Sequence, residues 1–221
     1  MPDTKLTMQN IRDHLRKYGV VYVVLIVVAS VVTSLLWTMT TPVIPDDERI
    51  LIYLADAYSD VKPLEPYKEA LLERARAVDP KIREVAFESL MFSDPENDYT
   101  GVMLMMTRLV AGEGDMFIAG PDAMTALVQA GACLDLEALR QGGWLFELEP
   151  YYADYTDPDT EQTTRLLAGV KLDPLHALLD MMAFRNEGAC LALPVNSPNN
   201  DSAAAVAGEL VKLLEEAGND A

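Results

Sequence analysis

The side chains that could do chemistry in this chain are mostly carboxylates, and several stand beside apolar runs. Asp56 ends the apolar run RILIYLAD, and Asp115 comes directly before the short run MFIA. Asp122 follows that second run after Gly120 and Pro121. A carboxylate in such a place could bind a cation, move a proton or cap a backbone turn. Which of these applies depends on the elements that position it.

The residue types present do not favour catalysis. Enzymes need a nucleophile with a base, a bound metal or a tuned pair of carboxylates. After residue 40 the chain has a single histidine, His176, and it contains no G-x-S-x-G motif, no phosphate-binding loop and no paired-cysteine motif. We therefore expect a protein that is not an enzyme and has no cofactor, although so many acids always leave carboxylate pairs as an alternative.

A metal site is considered at one acidic segment and not favoured there. Four acids close together in the chain could hold a calcium ion: Asp154, Asp157, Asp159 and Glu161. An EF-hand loop needs a glycine at its sixth position, and none follows here. The segment is predicted to be a solvated loop, and no metal is expected.

The two cysteines, Cys133 and Cys190, allow two interpretations. A disulfide is chemically permitted outside the cytoplasm. Two buried thiols that act as small hydrophobic side chains are the favoured alternative.

A membrane-spanning helix is predicted near the amino end. Residues 20–37 contain no charged side chain, and the uncharged run extends through Met39. About 20 helical residues cross the ~30 Å hydrocarbon core of a bilayer. A removed signal peptide is the alternative, but the run exceeds the usual ~7 to 15 apolar residues and no A-x-A pattern follows it. We expect an uncleaved signal-anchor.

Charge predicts the orientation of that helix. Residues 1–18 hold four of the 17 Lys and Arg residues, whereas the first cation after the apolar run is Arg49. Since Lys and Arg mark the cytoplasmic side, the amino terminus should face the cytoplasm. The predicted organisation is a cytoplasmic segment at 1–18, a helix in the lipid bilayer at 19–39, a stalk at 40–48 and an extracytoplasmic domain at 49–221.

The outer part of the chain is strongly acidic. It holds the other 13 Lys and Arg residues and all but two of the 35 Asp and Glu residues, so its formal charge is −20. Such a charge disfavours nucleic acid as a partner and favours cations or basic ligands.

Apolar periodicity predicts an α/β domain with a mostly parallel sheet. Strand, loop and helix follow one another three times, which is typical of parallel strands joined by helical crossovers. The methionines of the second helix are assigned to the core rather than to a binding groove. The predicted strands are 49–56, 81–92 and 116–119, and the predicted helices are 66–80, 99–110 and 121–132.

The rest of the chain is predicted to return to this sheet. Residues 142–165 are assigned to an acidic, turn-rich loop, and a terminal amphipathic helix is predicted with Asn199, Asn200 or Asp201 as its cap. Between them lie a strand at 165–172, a short helix at 173–184 and a last buried strand at 189–195.

These elements predict where a ligand would bind. Ligands of open α/β sheets bind at the carboxyl ends of the strands. Asp115 lies at the opposite end of its strand and is therefore predicted to close a turn. The candidate ligand-binding residues are Asp56, Ala57, Tyr58, Gly120, Pro121 and Asp122.

Three stretches of sequence resemble the extracellular solute-binding proteins of bacterial ABC importers, which have the periplasmic-binding-protein-like type II fold. They are RILIYLAD with the helix ending in AVDP, LVAGEGDMFIAGPDAMTALVQAGACLDLEAL, and CLALPVNSPNNDSAAAVAGELVKLL. The resemblance implies a single three-layer α/β lobe, because too few residues separate the second and third stretches for the family's second lobe. Since these proteins grip a solute between two lobes, no binding residue is transferred from the family.

Two functions are consistent with these patterns. One is a membrane-anchored, solute-binding-like domain that recognises a small molecule or peptide, or assists an importer. The other is a non-catalytic surface or assembly protein whose lobe contacts a protein partner.

Overall fold

A computed structural model of the chain describes residues 8–40, 44–91, 98–145, 147–172 and 188–219. It divides into two compact units, Met1–Val43 and Ile44–Ala221. The first unit contains one long helix, α1 (Met8–Thr40). Within it, Arg16–Trp37 is long and apolar enough to cross a membrane, and none of this stretch is buried. The helix thus begins well before the predicted span.

The second unit is built on a six-stranded mixed sheet. The strands are β1 (Arg49–Asp56), β2 (Glu84–Met91), β3 (Met116–Ala119), β4 (Pro150–Thr156), β5 (Thr163–Lys171) and β6 (Cys190–Ala192). Their order in the sheet is β2-β1-β3-β6-β5-β4. The strands β1, β2 and β3 are parallel to one another, whereas β6 is antiparallel to both β3 and β5, and β5 is antiparallel to β4. The α/β class is confirmed, but only two of the five pairings are parallel.

Helices cover both faces of the sheet. They are α2 (Lys68–Val78), α3 (Tyr99–Val110), α4 (Pro121–Gln129), α5 (Glu137–Gln141) and α6 (Asn200–Asn219). On one face, α2 and α6 pack over Ile50, Ile52 and Leu54 of β1. On the other, α3 and α4 pack over Leu51 and Tyr53. Successive residues of a strand point to opposite faces, so a strand covered on both sides needs the continuous apolar run seen in β1.

The buried face of the helix α3 agrees only in part with the prediction. Its buried residues are Gly101, Met105 and Leu109. Of the methionines assigned to the core, Met106 packs against it in part and Met103 is exposed, as are Tyr99 and Val110. The apolar residues of this helix occupy more of its circumference than the sheet can cover, so periodicity alone could not identify the buried side. The helix ends before Gly112, whose φ of 70° terminates it.

The predicted acidic loop at 142–165 is wrong for Pro150–Thr156 and for the residues from Thr163 onward, which form strands. The strand β4 pairs with β5 from Pro150 to Thr156, with a register shift at Tyr151/Tyr152. Tyrosine and threonine are strong strand formers, and the alternation YYADYT was the available signal. The acidic turn between the two strands is the part of the prediction that holds.

The terminal helix α6 behaves as predicted. It buries Val206, Leu210, Val211, Leu213 and Leu214 against the sheet. The last strand is shorter than predicted, with β6 covering three residues. The helix predicted at 173–184, together with His176, lies outside the described residues.

Candidate functional site

The carboxyl ends of β1 and β3 lie side by side. The two strands are parallel, with Ala55 opposite Ala119, and the amide of Gly120 donates to the carbonyl of Ala55 across 2.8 Å. The loop after β1 and the start of α4 are therefore neighbours. The structure brings Asp56, Ala57 and Tyr58 to the same sheet edge as Gly120, Pro121 and Asp122.

These six residues differ in access to solvent. Asp56 is only 2% exposed, and its Oδ1 accepts a hydrogen bond from the amide of Ala57 at 2.6 Å. Gly120 is also buried, and Tyr58 is half-buried. Direct contact with a ligand is open to the exposed members of the set, Ala57, Pro121 and Asp122, and to Tyr58.

Other chain segments contribute to the same edge. Because β6 is antiparallel to β3, its first residue, Cys190, lies beside Ala119, and Gly188 just before it lies close to Pro121. Behind the β1 loop, the hydroxyl of Ser89 donates to the carbonyl of Ser59 at 2.9 Å. Together these contacts give the edge a packed base, with side chains above it that reach solvent.

Asp115 occupies the opposite end of β3 and is an internal structural group. Its Oδ2 accepts the Leu51 amide at 2.8 Å, and its Oδ1 accepts the Ser197 hydroxyl at 2.6 Å. The side-chain amide of Asn199 donates to the same Oδ1 at 3.0 Å. Asp115 thus joins β1, β3 and the segment before α6, and the turn-closing role predicted for it agrees with these contacts.

Asn199 extends this network to the beginning of the domain. Its side-chain amide also donates to the carbonyls of Asp46 at 2.8 Å and Arg49 at 2.9 Å. Sequence reasoning identified Asn199 only as a candidate helix cap and did not identify Ser197. The signal available was the placement of both residues in a turn directly before a helix, which says nothing about contacts with residues about 150 positions earlier.

Burial raises the pKa of Asp115, and the hydrogen bond from Ser197 opposes that rise. The hydrogen bonds from Leu51 and Asn199 act in the same direction as the Ser197 bond, because all three stabilise the ionised carboxylate. These hydrogen bonds therefore offset part of the cost of burying the Asp115 carboxylate. Nothing in this arrangement leaves room for a ligand, since the adjacent cavity holds only about 10 Å³.

Tyr53 of β1 carries a second buried polar group, its phenol, which is influenced by charges on β2 and α3. Burial raises the pKa of Tyr53 to about 12, and the nearby carboxylate of Glu88 adds to the effect. The guanidinium of Arg108 lies 6.0 Å from the Tyr53 ring centre and forms an ion pair with Glu113. At such a pKa the phenol stays neutral, and its ring packs on Phe117 with centroids 5.3 Å apart.

Both cysteines are buried thiols. Cys133 lies opposite Pro194 in an isolated pairing, whereas Cys190 lies opposite Ala119 on β3. These positions agree with the favoured interpretation of two buried thiols that act as small hydrophobic side chains. Burial raises the pKa of Cys133 to about 12, so this thiol is protonated at neutral pH.

The acidic turn between β4 and β5 is held by its own backbone. The Asp157 carboxylate accepts the amides of Asp159 at 2.8 Å and Thr160 at 3.3 Å. These hydrogen bonds, chiefly the one from Asp159, lower the pKa of Asp157. Among the described residues, no group of three or more His, Cys, Asp or Glu side chains is placed to hold a metal ion.

Comparison with known proteins gives partial structural matches. No protein-family model and no curated relative matches this chain. An N-glycan transport solute binding protein (NgtS) from Streptococcus pneumoniae is 21% identical, with a TM-score of 0.25, over 44% of this chain and 19% of its own. A probable secreted solute-binding lipoprotein from Streptomyces coelicolor is 19% identical, with a TM-score of 0.27, over 50% of this chain and 30% of its own. The matched part therefore spans less than a third of either protein.

Proposed function

We propose that the chain is a membrane-anchored, extracytoplasmic solute-binding-like protein that is not an enzyme. The observation that carries this proposal is the meeting of the β1 and β3 loops at one sheet edge, where Gly120 bonds to Ala55. In an open α/β sheet this edge is where ligands bind. In this proposal the helix α1 is the anchor, and the cations before its apolar stretch favour a cytoplasmic amino terminus.

The ligand of this proposal is a small molecule or a short peptide with positive charge or hydrogen-bond donors. Asp122 and Tyr58 present an acceptor and an aromatic ring at the edge, and the acidic domain steers cations toward it. A single lobe covers one side of a ligand only, so we expect weaker binding than in a two-lobed clamp.

A thermal-shift screen of the full-length chain in detergent micelles tests the proposal. Sugars, amino acids, short basic peptides and divalent ions would be added in turn, because a ligand that binds the folded state raises the melting temperature. A hit should lose most of its shift in Asp122→Asn or Tyr58→Ala and keep it in Asp157→Asn, an acid on the distant hairpin turn. No shift from any class would count against the proposal.

A second function is favoured by the surface of α3. Among the residues that the structure describes between 44 and 219, eight large apolar side chains are exposed, and five of them belong to the β2–α3 unit: Met91, Tyr99, Met103, Leu104 and Val110. Clusters of exposed apolar side chains mark interaction surfaces. An assembly module that binds a protein partner through α3 would account for them.

Cross-linking in membranes distinguishes the two functions. A photo-reactive residue at Met103 should capture a protein if α3 is an interface, whereas one at Asp122 should not. If only position 122 yields adducts, and these are of low mass, the solute-binding proposal is favoured.

A further inference from the structure

Asp56 is the buried acid of the candidate site. Its carboxylate is buried although it belongs to the set of predicted ligand contacts. A Cβ atom added at Gly120 would lie 2.7 Å from Oδ1 of Asp56 and 2.8 Å from its Cγ, which is closer than real side chains approach. The space that a side chain at position 120 would occupy is therefore filled by the carboxylate of Asp56.

Position 120 is also the N-cap of α4. The N-cap residue of a helix is usually Ser, Thr, Asp or Asn, whose oxygen offsets the unsatisfied N–H groups of the first turn. Gly120 has no such oxygen, and its φ of −66° and ψ of 169° are open to any residue, so backbone conformation does not explain the glycine. Close contact with Asp56 does.

We propose that Asp56 is a positioning residue: from the end of β1 its carboxylate fills the space that an N-cap side chain at position 120 would occupy, and so holds the start of α4 against the β1 loop. A carboxylate at this place also lies at the helix end where the backbone dipole is positive. The same carboxylate accepts the Ala57 amide, so one side chain fixes both loops of the edge.

This positioning role rests on the proposed function, because it matters for binding only if the ligand binds at this sheet edge. Asp56 sets the separation between Tyr58 and Asp122 without touching the ligand itself. Ligand contact then falls to the exposed residues. The positioning role can be measured without any ligand.

A double-mutant cycle with Gly120→Ser and Asp56→Ala is the test. In the natural chain, Gly120→Ser should lower the midpoint of thermal unfolding by about 2 to 8 °C, because the added side chain meets the Asp56 carboxylate. Asp56→Ala should lower it by about 2 to 6 °C, because the packing of the carboxylate against the start of α4 is lost. In the Asp56→Ala background, Gly120→Ser should raise the midpoint, since serine now finds both space and a capping role.

The matched control is Gly169→Ser on β5. A Cβ atom there would lie 2.6 Å from the carbonyl oxygen of Leu191, which is backbone and cannot be removed by substitution. This change should lower the midpoint equally in both backgrounds. All variants would be measured as full-length chains in detergent by circular dichroism, and Gly120→Ala replaces Gly120→Ser if the latter does not fold.

Amide hydrogen exchange supplies the local readout. The Met124 amide donates to the Gly120 carbonyl at 2.8 Å, so its exchange should quicken in Asp56→Ala and slow again in the double variant. If Gly120→Ser lowers the midpoint by the same amount with and without Asp56, the proposal is overturned. Since no ligand enters this cycle, it can succeed even if the ligand screen fails.

Discussion

Two buried aspartates stand at opposite ends of the same pair of strands, and they are held in different ways. Asp115, before β3, accepts three hydrogen bonds from three separate chain segments. Asp56, after β1, accepts the amide of the next residue and packs against Gly120. The first arrangement ties distant parts of the chain together, and the second adjusts two neighbouring loops. Asp115 is therefore assigned to the framework of the domain, and Asp56 to the edge at which its strand ends.

The largest expected effect is that of removing the Asp115 carboxylate. Asp115→Ala leaves the Leu51 amide, the Ser197 hydroxyl and the Asn199 amide without their acceptor in a buried place. Each unsatisfied group costs about 1 to 3 kcal/mol, so we expect a loss of about 3 to 5 kcal/mol in the free energy of unfolding. Urea denaturation of the full-length chain in detergent measures it. A loss below about 1 kcal/mol would contradict the structural role of Asp115.

Asn199→Ala should have the next largest effect. The change removes the donor to Asp115 and to the carbonyls of Asp46 and Arg49, at an expected cost of about 1 to 3 kcal/mol. The neighbour Asn200 is the control, because its side chain makes one longer bond, 3.3 Å, to Val195. Asn200→Ala should cost about 0.5 kcal/mol or less. Equal losses for the two variants would show that the network is not specific to Asn199.

The pH dependence of stability should separate Asp115 from an exposed acid. Because burial raises the pKa of Asp115, the folded chain holds this proton more tightly than the unfolded chain does. Between the ordinary carboxyl pKa and the raised value, the natural chain should gain stability relative to Asp115→Asn as pH falls. The difference in melting temperature between the two proteins, measured from pH 7 to pH 4, reports this gain.

Asp79 should show the opposite dependence of stability on pH, because its pKa is lowered in the folded chain. Hydrogen bonds from the Lys81 amide and the Ser202 hydroxyl lower its pKa, so its contribution is present above the ordinary carboxyl pKa and is lost as pH falls through the lowered value. Relative to Asp79→Asn, the natural chain should lose stability on acidification. The same trend in both pairs would refute the assignment for one of them.

The smallest effects on stability are expected at the exposed part of the candidate edge. Asp122→Asn should change the free energy of unfolding by about 0.5 kcal/mol or less, because this surface substitution removes little packing, and Tyr58→Ala, at a half-buried position, should lower it by about 1 kcal/mol. Their main effect should appear in ligand binding. A large loss of stability in either variant would place that residue with Asp56, as part of the framework.

The parts of this fold that sequence predicts best are those in which one residue pattern has one structural solution. The strand at 49–56 needs a double-sided core, and its bounds agree with β1. The terminal helix buries the five residues predicted to face inward. Both results depend on patterns within a single segment, and so no knowledge of distant contacts was needed.

Errors arose where distant contacts decide the structure. The strand β4 exists because β5 lies beside it, and its tyrosines also suit a loop. The exposed side of α3 has as many apolar residues as the buried side, so only the position of the sheet identifies the core face. The number of parallel strand pairs was overestimated, because no local sequence pattern shows that β6 runs antiparallel to β3.

The position of the candidate edge could be predicted from the sequence, but the role of each residue there could not. Strand order along the chain implied that the ends of β1 and β3 would meet, and they do. The burial of Asp56 and its contact with Gly120 depend on how closely two loops approach. The partnership of Asp115 with Ser197 and Asn199 spans more than 80 residues, beyond the reach of any motif.

The two buried cysteines make motions of the sheet measurable. Cys133 and Cys190 lie within the cluster beneath α4, and neither thiol is open to solvent. A thiol-reactive reagent can modify them only during moments when that layer separates from the strands. The rate of modification therefore reports how often this layer opens near the candidate edge, and the reporting residues are natural ones that need no substitution.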